Sequence, residues 1–156
     1  MENLNKVRDN LIKQLAKEVI EEIEIKRINE RKSKKYHNTE LLMKNYMALK
    51  NHIDKIEYDL EDEEDVVFIE SITRTKLRTI KMLGYVDSAL KIVKSNFKKN
   101  NEKYKFLTFE KYYFEKKNIE DICKECNCSK NSIRRWNNSI IEELSLLLWG
   151  IDYLSF

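Results

Sequence analysis

The chain has 156 residues, of which 42% are hydrophobic and 37% charged, with no Pro and two Gly, and this composition predicts an all-α fold of one compact domain or two small ones. The net charge of +3 does not by itself indicate a nucleic-acid-binding protein. The odd number of cysteines favours the reducing cytoplasm over a disulfide-bonded exterior, and no apolar run approaches the roughly 18–20 residues that cross a bilayer, so no membrane partner is expected.

The first element in the chain is predicted to be one amphipathic helix of about 28 residues. Its apolar residues step by three or four and form a stripe: Leu4, Val7, Leu11, Leu15, Val19 and Ile23. This stripe has two interpretations. It packs either on the next helix of the same chain or on a second subunit, and the length of the helix favours the second, a homodimer through the N-terminal helices.

A polar stretch at residues 31–38 is predicted to end this first helix. It belongs to a basic run that Glu30 interrupts: Lys26, Arg27, Arg31, Lys32, Lys34 and Lys35. A second helix is then expected from about residue 39 to 58, with Asn38 or Thr39 as its N-cap. An acidic run at residues 57–65 predicts a solvated loop, or a surface for a basic partner.

A third helix is predicted over residues 67–97, with an apolar stripe along one face. The stripe consists of Ile72, Leu83, Val86, Leu90, Val93 and Phe97. Gly84 lies in its middle and marks either a break in the helix or a close crossing by another helix. Residues 98–101 are the predicted hinge. They divide the chain into a helical interaction region at 1–97 and a helix-turn-helix DNA-binding domain at 102–150.

The C-terminal domain is predicted to begin with an aromatic-rich helix that covers the helices after it, through Leu107, Phe109, Tyr113 and Phe114. Residues 119–138 then predict a helix, a tight turn and a second helix. Asn127 suits the left-handed turn conformation, and Asn118 and Ser129 are suitable N-caps. The last helix is expected to continue until Gly150 ends it.

The outer face of that last helix carries Lys130, Asn131, Arg134, Arg135 and Asn138. Such side chains donate hydrogen bonds to phosphate oxygens and to base edges in a DNA major groove. Lys117, Lys124 and Lys130, with the N-terminus of the helix after Asn118, are expected to contact phosphates. The complete predicted DNA-binding set is Lys117, Asn118, Lys124, Ser129, Lys130, Asn131, Arg134, Arg135 and Asn138.

Three segments resemble the ArpU/RinA group of phage-associated transcriptional regulators. They are NTELLMKNYMALKNHI at 38–53, RTKLRTIKMLGYVDSALKIV at 74–93, and YYFEKKNIEDICKECNCSKNSIRRWNNSIIEELSLLLWG at 112–150. The third is the specific one, and it is also similar to the domain with which sigma factors read promoter DNA. Two features depart from the pattern: Asn127 replaces the Gly common at the turn, and residues 1–36 have no counterpart.

The resemblance implies a transcriptional regulator, often an activator of late phage genes, which binds double-stranded DNA through Lys130, Asn131, Arg134 and Arg135. RNA polymerase is then a second candidate partner. Two other functions remain open at this point. One is a phage small-terminase-type packaging protein, which forms a ring of many subunits, and the other is a helical module that binds protein instead of DNA.

The spacing Cys123-x-x-Cys126-x-Cys128 resembles part of a zinc site. A closed structural zinc site needs four ligands, however, and this motif supplies three, while His37 and His52 lie far away in sequence. All three cysteines also occupy small or apolar positions, so they are expected to pack as small hydrophobic residues without metal. No phosphate-binding loop or nucleophile–base pair is present in the sequence, so neither an enzyme nor a cofactor is predicted.

Overall fold

In a computed structural model, the described backbone covers residues 2–55, 66–150 and 153, and the described side chains cover 11–53, 70–150 and 153. Five helices are present in this part of the chain, and it contains no strand. They are α1 (Glu2–Lys55), α2 (Val66–Lys99), α3 (Lys103–Tyr113), α4 (Ile119–Cys126) and α5 (Lys130–Trp149). The all-α prediction is confirmed. None of the helices in the described regions is both long and apolar enough to span a bilayer.

The first helix is much longer than expected, because α1 runs without a break for 54 residues. The predicted end at residues 31–38 is therefore wrong, as is the predicted cap at Asn38 or Thr39. Lys, Arg and Glu are good helix formers, so a polar stretch without Gly or Pro changes the face that a helix presents and does not end it. The stripe of α1 thus cannot pack on a separate second helix. The predicted acidic loop at 57–65 lies outside the described residues.

The helix α2 agrees with the predicted third helix to within two residues at each end. Gly84 is exposed within this continuous helix, and a Cβ atom placed there would meet nothing within 4 Å. Gly84 therefore marks neither a break nor a close crossing. The buried stripe of α2 is confirmed from Leu83 to Phe97, but Ile72 at its start is exposed.

The chain reverses direction after α2, where a hinge was predicted. Asn101 adopts a left-handed conformation with φ of 59°, and the Glu102 N–H donates to the Phe97 carbonyl at 2.8 Å. The helix α3 follows and buries Phe106 and Phe109. Leu107 was predicted to point inward and is 43% exposed, because Phe106 and Phe109 already define the inward face of this helix.

One hydrophobic cluster joins the helices on both sides of the predicted domain boundary. Its residues come from α1 (Met43, Tyr46), α2 (Leu83, Val86, Ala89, Leu90, Val93, Phe97), α3 (Phe106, Phe109, Tyr113) and α5 (Ile140, Ile141, Leu144). The C-terminal part of α1 and most of α2 thus support α3 and α5 through a shared core. The division of the chain into two domains stays a prediction.

Candidate nucleic-acid interface

The ends of α4 and α5 are formed by short-range hydrogen bonds. The Asn118 side chain accepts from the Asp121 N–H at 2.8 Å, and the Ser129 hydroxyl accepts from the Ser132 N–H at 3.1 Å. Between the helices, Asn127 has φ of 50° and ψ of 51°, the left-handed conformation that Asn tolerates. Both predicted N-caps and the predicted turn residue are confirmed. Gly150 ends α5, as expected.

The inner faces of α4 and α5 are held against the aromatic helix α3. Ile122 and Ile133 are fully buried. The Trp136 ring meets the Tyr104 ring edge-on, with centroids 5.2 Å apart. This packing fixes which side of α5 faces outward, because a helix with one side buried presents the opposite side to solvent.

The outward side of the first two turns of α5 presents four polar side chains together. Lys130, Asn131, Arg134 and Arg135 are all exposed, while Ile133 between them is buried. Within the described part of the chain, neither the Arg134 guanidinium nor the Asn131 carboxamide forms a hydrogen bond or an ion pair. A bidentate guanidinium and a carboxamide that project from one helix can form paired hydrogen bonds with planar groups, including base edges.

The helix α1 crosses the C-terminal half of this same side of α5. The Thr39 hydroxyl is fully buried there and accepts hydrogen bonds from the Ser145 hydroxyl at 2.8 Å and the Trp149 indole N–H at 3.0 Å. The same hydroxyl donates to the Lys35 carbonyl at 2.9 Å. The exposed outward side of α5 therefore extends for about two turns before α1 covers it.

Asn138 is the predicted contact residue that α1 reaches. The Tyr36 hydroxyl donates to the Asn138 side-chain oxygen at 3.0 Å. Burial, with smaller contributions from nearby Glu40 and Glu142, raises the pKa of Tyr36 to about 12, so the phenol stays protonated and remains a donor at neutral pH. The Asn138 side chain thus already has a partner within the chain, unlike that of Asn131, which lies two turns earlier on the same face.

Two of the predicted phosphate-contacting lysines have acidic neighbours. Lys117 pairs with Glu125 at 2.8 Å and with Glu115 at 3.4 Å, and Lys130 pairs with Glu120. Hydrogen bonds from Lys111 and Lys117 lower the pKa of Glu125 to about 2, and the bond to Glu125 raises the pKa of Lys117. A phosphate would therefore have to compete with these carboxylates.

The side of α5 next to Arg135 forms a cleft of about 410 Å³. The acids Glu102 and Glu143 line this cleft together with Arg135 and Trp136. Burial raises the pKa of Glu143 above its ordinary value. Arg135 thus borders this cleft, whereas Arg134 does not line it.

The three cysteines are free thiols and half-buried. Burial raises the pKa of the Cys128 thiol, and the neighbouring Cys123 and Cys126 add to this rise, so the thiol form is favoured. Among the described residues, no group of three His, Cys, Asp or Glu side chains is arranged to hold a metal ion. The packing role of the three thiols stays a prediction.

Three residues of this surface have no signal in the local sequence pattern. Tyr36 and Thr39 connect α1 to α5, and no local pattern indicates a contact over more than 100 positions of sequence. Asn137 is buried, and its side-chain oxygen has no hydrogen-bond partner within the described part of the chain.

Comparisons with known proteins add no relative. No family model, curated protein or solved structure shows a significant match to the chain.

Proposed function

We propose that this protein is a sequence-specific DNA-binding regulator of transcription that reads the duplex with the first two turns of α5. One observation supports this most strongly. Lys130, Asn131, Arg134 and Arg135 are exposed side by side on a capped helix whose opposite face is buried. Arg pairs well with guanine and Asn with adenine in the major groove, and a helix held at its inner face is the common way to place such groups there.

The position of α1 adds positive charge beside this face. Its basic run, Lys26, Arg27, Arg31, Lys32, Lys34 and Lys35, ends immediately before Tyr36, which contacts α5 at Asn138. Phosphate contacts supply most of the affinity for DNA, and base contacts supply the specificity. In this proposal α1 and the lysines around α4 hold the backbone, and α5 reads the bases.

The finer parts of the proposal rest on the resemblance to the ArpU/RinA regulators at residues 112–150. By that resemblance the protein activates phage late genes in the bacterial cytoplasm. The similarity of the same segment to the promoter-reading domain of sigma factors points to RNA polymerase as a second partner. A regulator of this kind binds its promoter as a small assembly, in contrast to the ring of a packaging protein.

The test starts with fragmented host DNA, from which the fragments that bind the protein are recovered and sequenced. The site that these fragments share is then made as a labelled duplex. Arg134→Ala and Arg135→Ala should each weaken binding to this duplex, and the loss of one bidentate base contact costs about 1–3 kcal/mol. Arg78→Ala is the matched control, because Arg78 is an exposed arginine on α2. It should bind like the parent.

Two results would reject the proposal. If Arg134→Ala and Arg135→Ala both bind as tightly as the parent, α5 does not read the DNA. If no fragment is enriched and the protein captures only other proteins, the exposed groups of α5 belong to a protein–protein interface.

A further inference from the structure

The N-terminal part of α1 carries an apolar face that nothing in the described structure covers. Ile12, Leu15, Val19, Ile20 and Ile23 are each between 45% and 57% exposed. These residues precede the part of α1 that packs on α5, which begins near Lys32 with its contact to the Tyr153 ring. A contiguous exposed patch of large apolar residues marks a site of interaction.

The spacing of this face fits a helix pair more closely than a globular surface. Ile12, Ala16, Val19 and Ile23 alternate steps of four and three, which is the seam of a two-stranded coiled coil. Leu15 and Ile20 flank the seam on opposite sides. In this register Lys26 takes the next seam position, so the apolar seam ends at Ile23. The charged residues on the flanks of the seam are Lys13, Glu22 and Arg27.

The flanking residues distinguish between the two orientations of a helix pair. In a parallel pair, a residue on the flank of Leu15 and Glu22 meets the residue five positions later on the opposite flank of the other copy. Leu15 then meets Ile20, and Glu22 meets Arg27, so apolar groups face each other and opposite charges face each other. In an antiparallel pair, Leu15 would face Glu22 and Lys13 would face Ile20, which sets charge against apolar surface.

We propose that residues 12–27 of α1 form a parallel two-stranded coiled coil with the same residues of a second copy of this chain. The self-complementary pairing of Leu15 with Ile20, and of Glu22 with Arg27, identifies a second copy as the occupant of this face. A seam of about two heptads is short, so the dimer forms at micromolar concentration and dissociates on dilution. Because α1 is anchored to the core from Thr39 onward, part of the helix is already ordered before pairing.

The parallel orientation places both α5 helices at the same end of the coiled coil. If α5 reads DNA, the two copies would bind two half-sites on one face of the duplex. Only this step rests on the proposed function. Self-association itself does not require DNA.

Sedimentation equilibrium of the full chain across the micromolar range tests the proposal. The parent should approach twice the 18.9 kDa of one chain. Val19→Asp together with Ile23→Asp should give a monomer at every concentration. Ile92→Asp is the matched control, because Ile92 is 48% exposed on α2, and this variant should still dimerise. Circular dichroism of each variant checks that the helices are retained.

A charge exchange tests the orientation. Glu22→Arg should weaken the dimer about fivefold or more, because it sets Arg against Arg27 of the second copy, and adding Arg27→Glu should restore the parent affinity. A monomeric parent, a ring of many subunits, or a double variant no tighter than Glu22→Arg alone would each overturn the proposal. Arg134→Ala should dimerise normally, so failure of DNA binding and failure of dimerisation are separate results.

Discussion

Thr39 shows how a single side chain can connect two distant parts of this protein. Its hydroxyl has one proton to donate and two lone pairs with which to accept. The proton goes to the Lys35 carbonyl, and the lone pairs accept from Ser145 and Trp149. This small polar group therefore has its full set of partners in a buried place, and it fixes where α1 crosses α5.

Replacing Thr39 with Val tests this role of the hydroxyl. Val keeps the shape of Thr but leaves the Ser145 hydroxyl and the Trp149 N–H without their acceptor, so Thr39→Val should lower the free energy of unfolding by about 1–3 kcal/mol. Urea denaturation would measure the loss. Thr75→Val is the control, because Thr75 makes the same bond to the carbonyl four residues earlier on an exposed face of α2, and it should change little. Equal losses for both variants would show that the buried Thr39 hydroxyl does not stabilise the contact between α1 and α5.

The carboxylate of Glu125 predicts a dependence of stability on pH. Its bonds to Lys111 and Lys117 lower its pKa from an ordinary value of 4.5 to about 2 in the folded protein. A carboxylate with a lowered folded pKa stabilises the fold above the unfolded pKa, and this contribution disappears as the pH falls from about 4.5 to 2.

Glu125→Gln should therefore melt below the parent at neutral pH, and the difference should shrink as the solution is acidified towards pH 2. Because the pair is at the surface, raised salt should also shrink it. Thermal melts over this pH range measure the difference, with Glu70→Gln on α2 as the control that should show a smaller one. A difference that stays constant or grows on acidification would rule out the assigned ion pair.

At the scale of the helices, the most predictable part of the structure was the segment from Asn118 to Gly150. Its caps and its turn depend on bonds within three or four residues, so residue types at fixed spacing are sufficient to predict them. The length of α1 was not predictable in the same way, because a polar stretch continues a helix as readily as an apolar one. The contact of α1 with α5 depends on residues such as Tyr36 and Asn138 that are far apart in sequence, which local patterns do not relate.

The cap of α5 gives a test at this scale. Ser129→Ala removes the acceptor for the Ser132 N–H and should lower stability by about 1 kcal/mol, measured by denaturation. Because the cap holds the first turn, where Lys130 and Asn131 lie, the same variant should also weaken binding to the promoter site.

Ser88→Ala is the control for the cap, because the Ser88 hydroxyl bonds to a carbonyl within the exposed middle of α2. Alanine has the higher helix propensity there, so this variant should be neutral or slightly more stable. If Ser129→Ala were also neutral in both assays, the start of α5 would not depend on its cap.

For the whole molecule, the shared core means that α1 and α2 position the outer face of α5. Met43 and Tyr46 from α1 and Val86 and Val93 from α2 belong to the same cluster as Phe109, which supports α5. A fragment that lacks α1 and α2 would expose this apolar surface. The arrangement of α5 relative to α1 could not be inferred from the sequence, because it depends on contacts over the full length of the chain.

The charge around α5 predicts how affinity for DNA changes with salt. Lysines near α4, the exposed part of α5 and the basic run of α1 together suggest three to six phosphate contacts per chain, so log affinity should fall against log salt with a slope of about −3 to −5. Titrations at several salt concentrations with the recovered duplex measure it. A flat dependence would indicate that the duplex is not bound through its phosphates.

A selection from randomised duplexes shows whether the outer face of α5 reads base sequence. The parent and Arg134→Ala are each used to select sites from the same pool, and the preference at every base pair is compared. Arg134→Ala should lose the preference at one position, by about 1–3 kcal/mol, and keep the others. Identical preferences for the two proteins at every position would show that Arg134 reads no base.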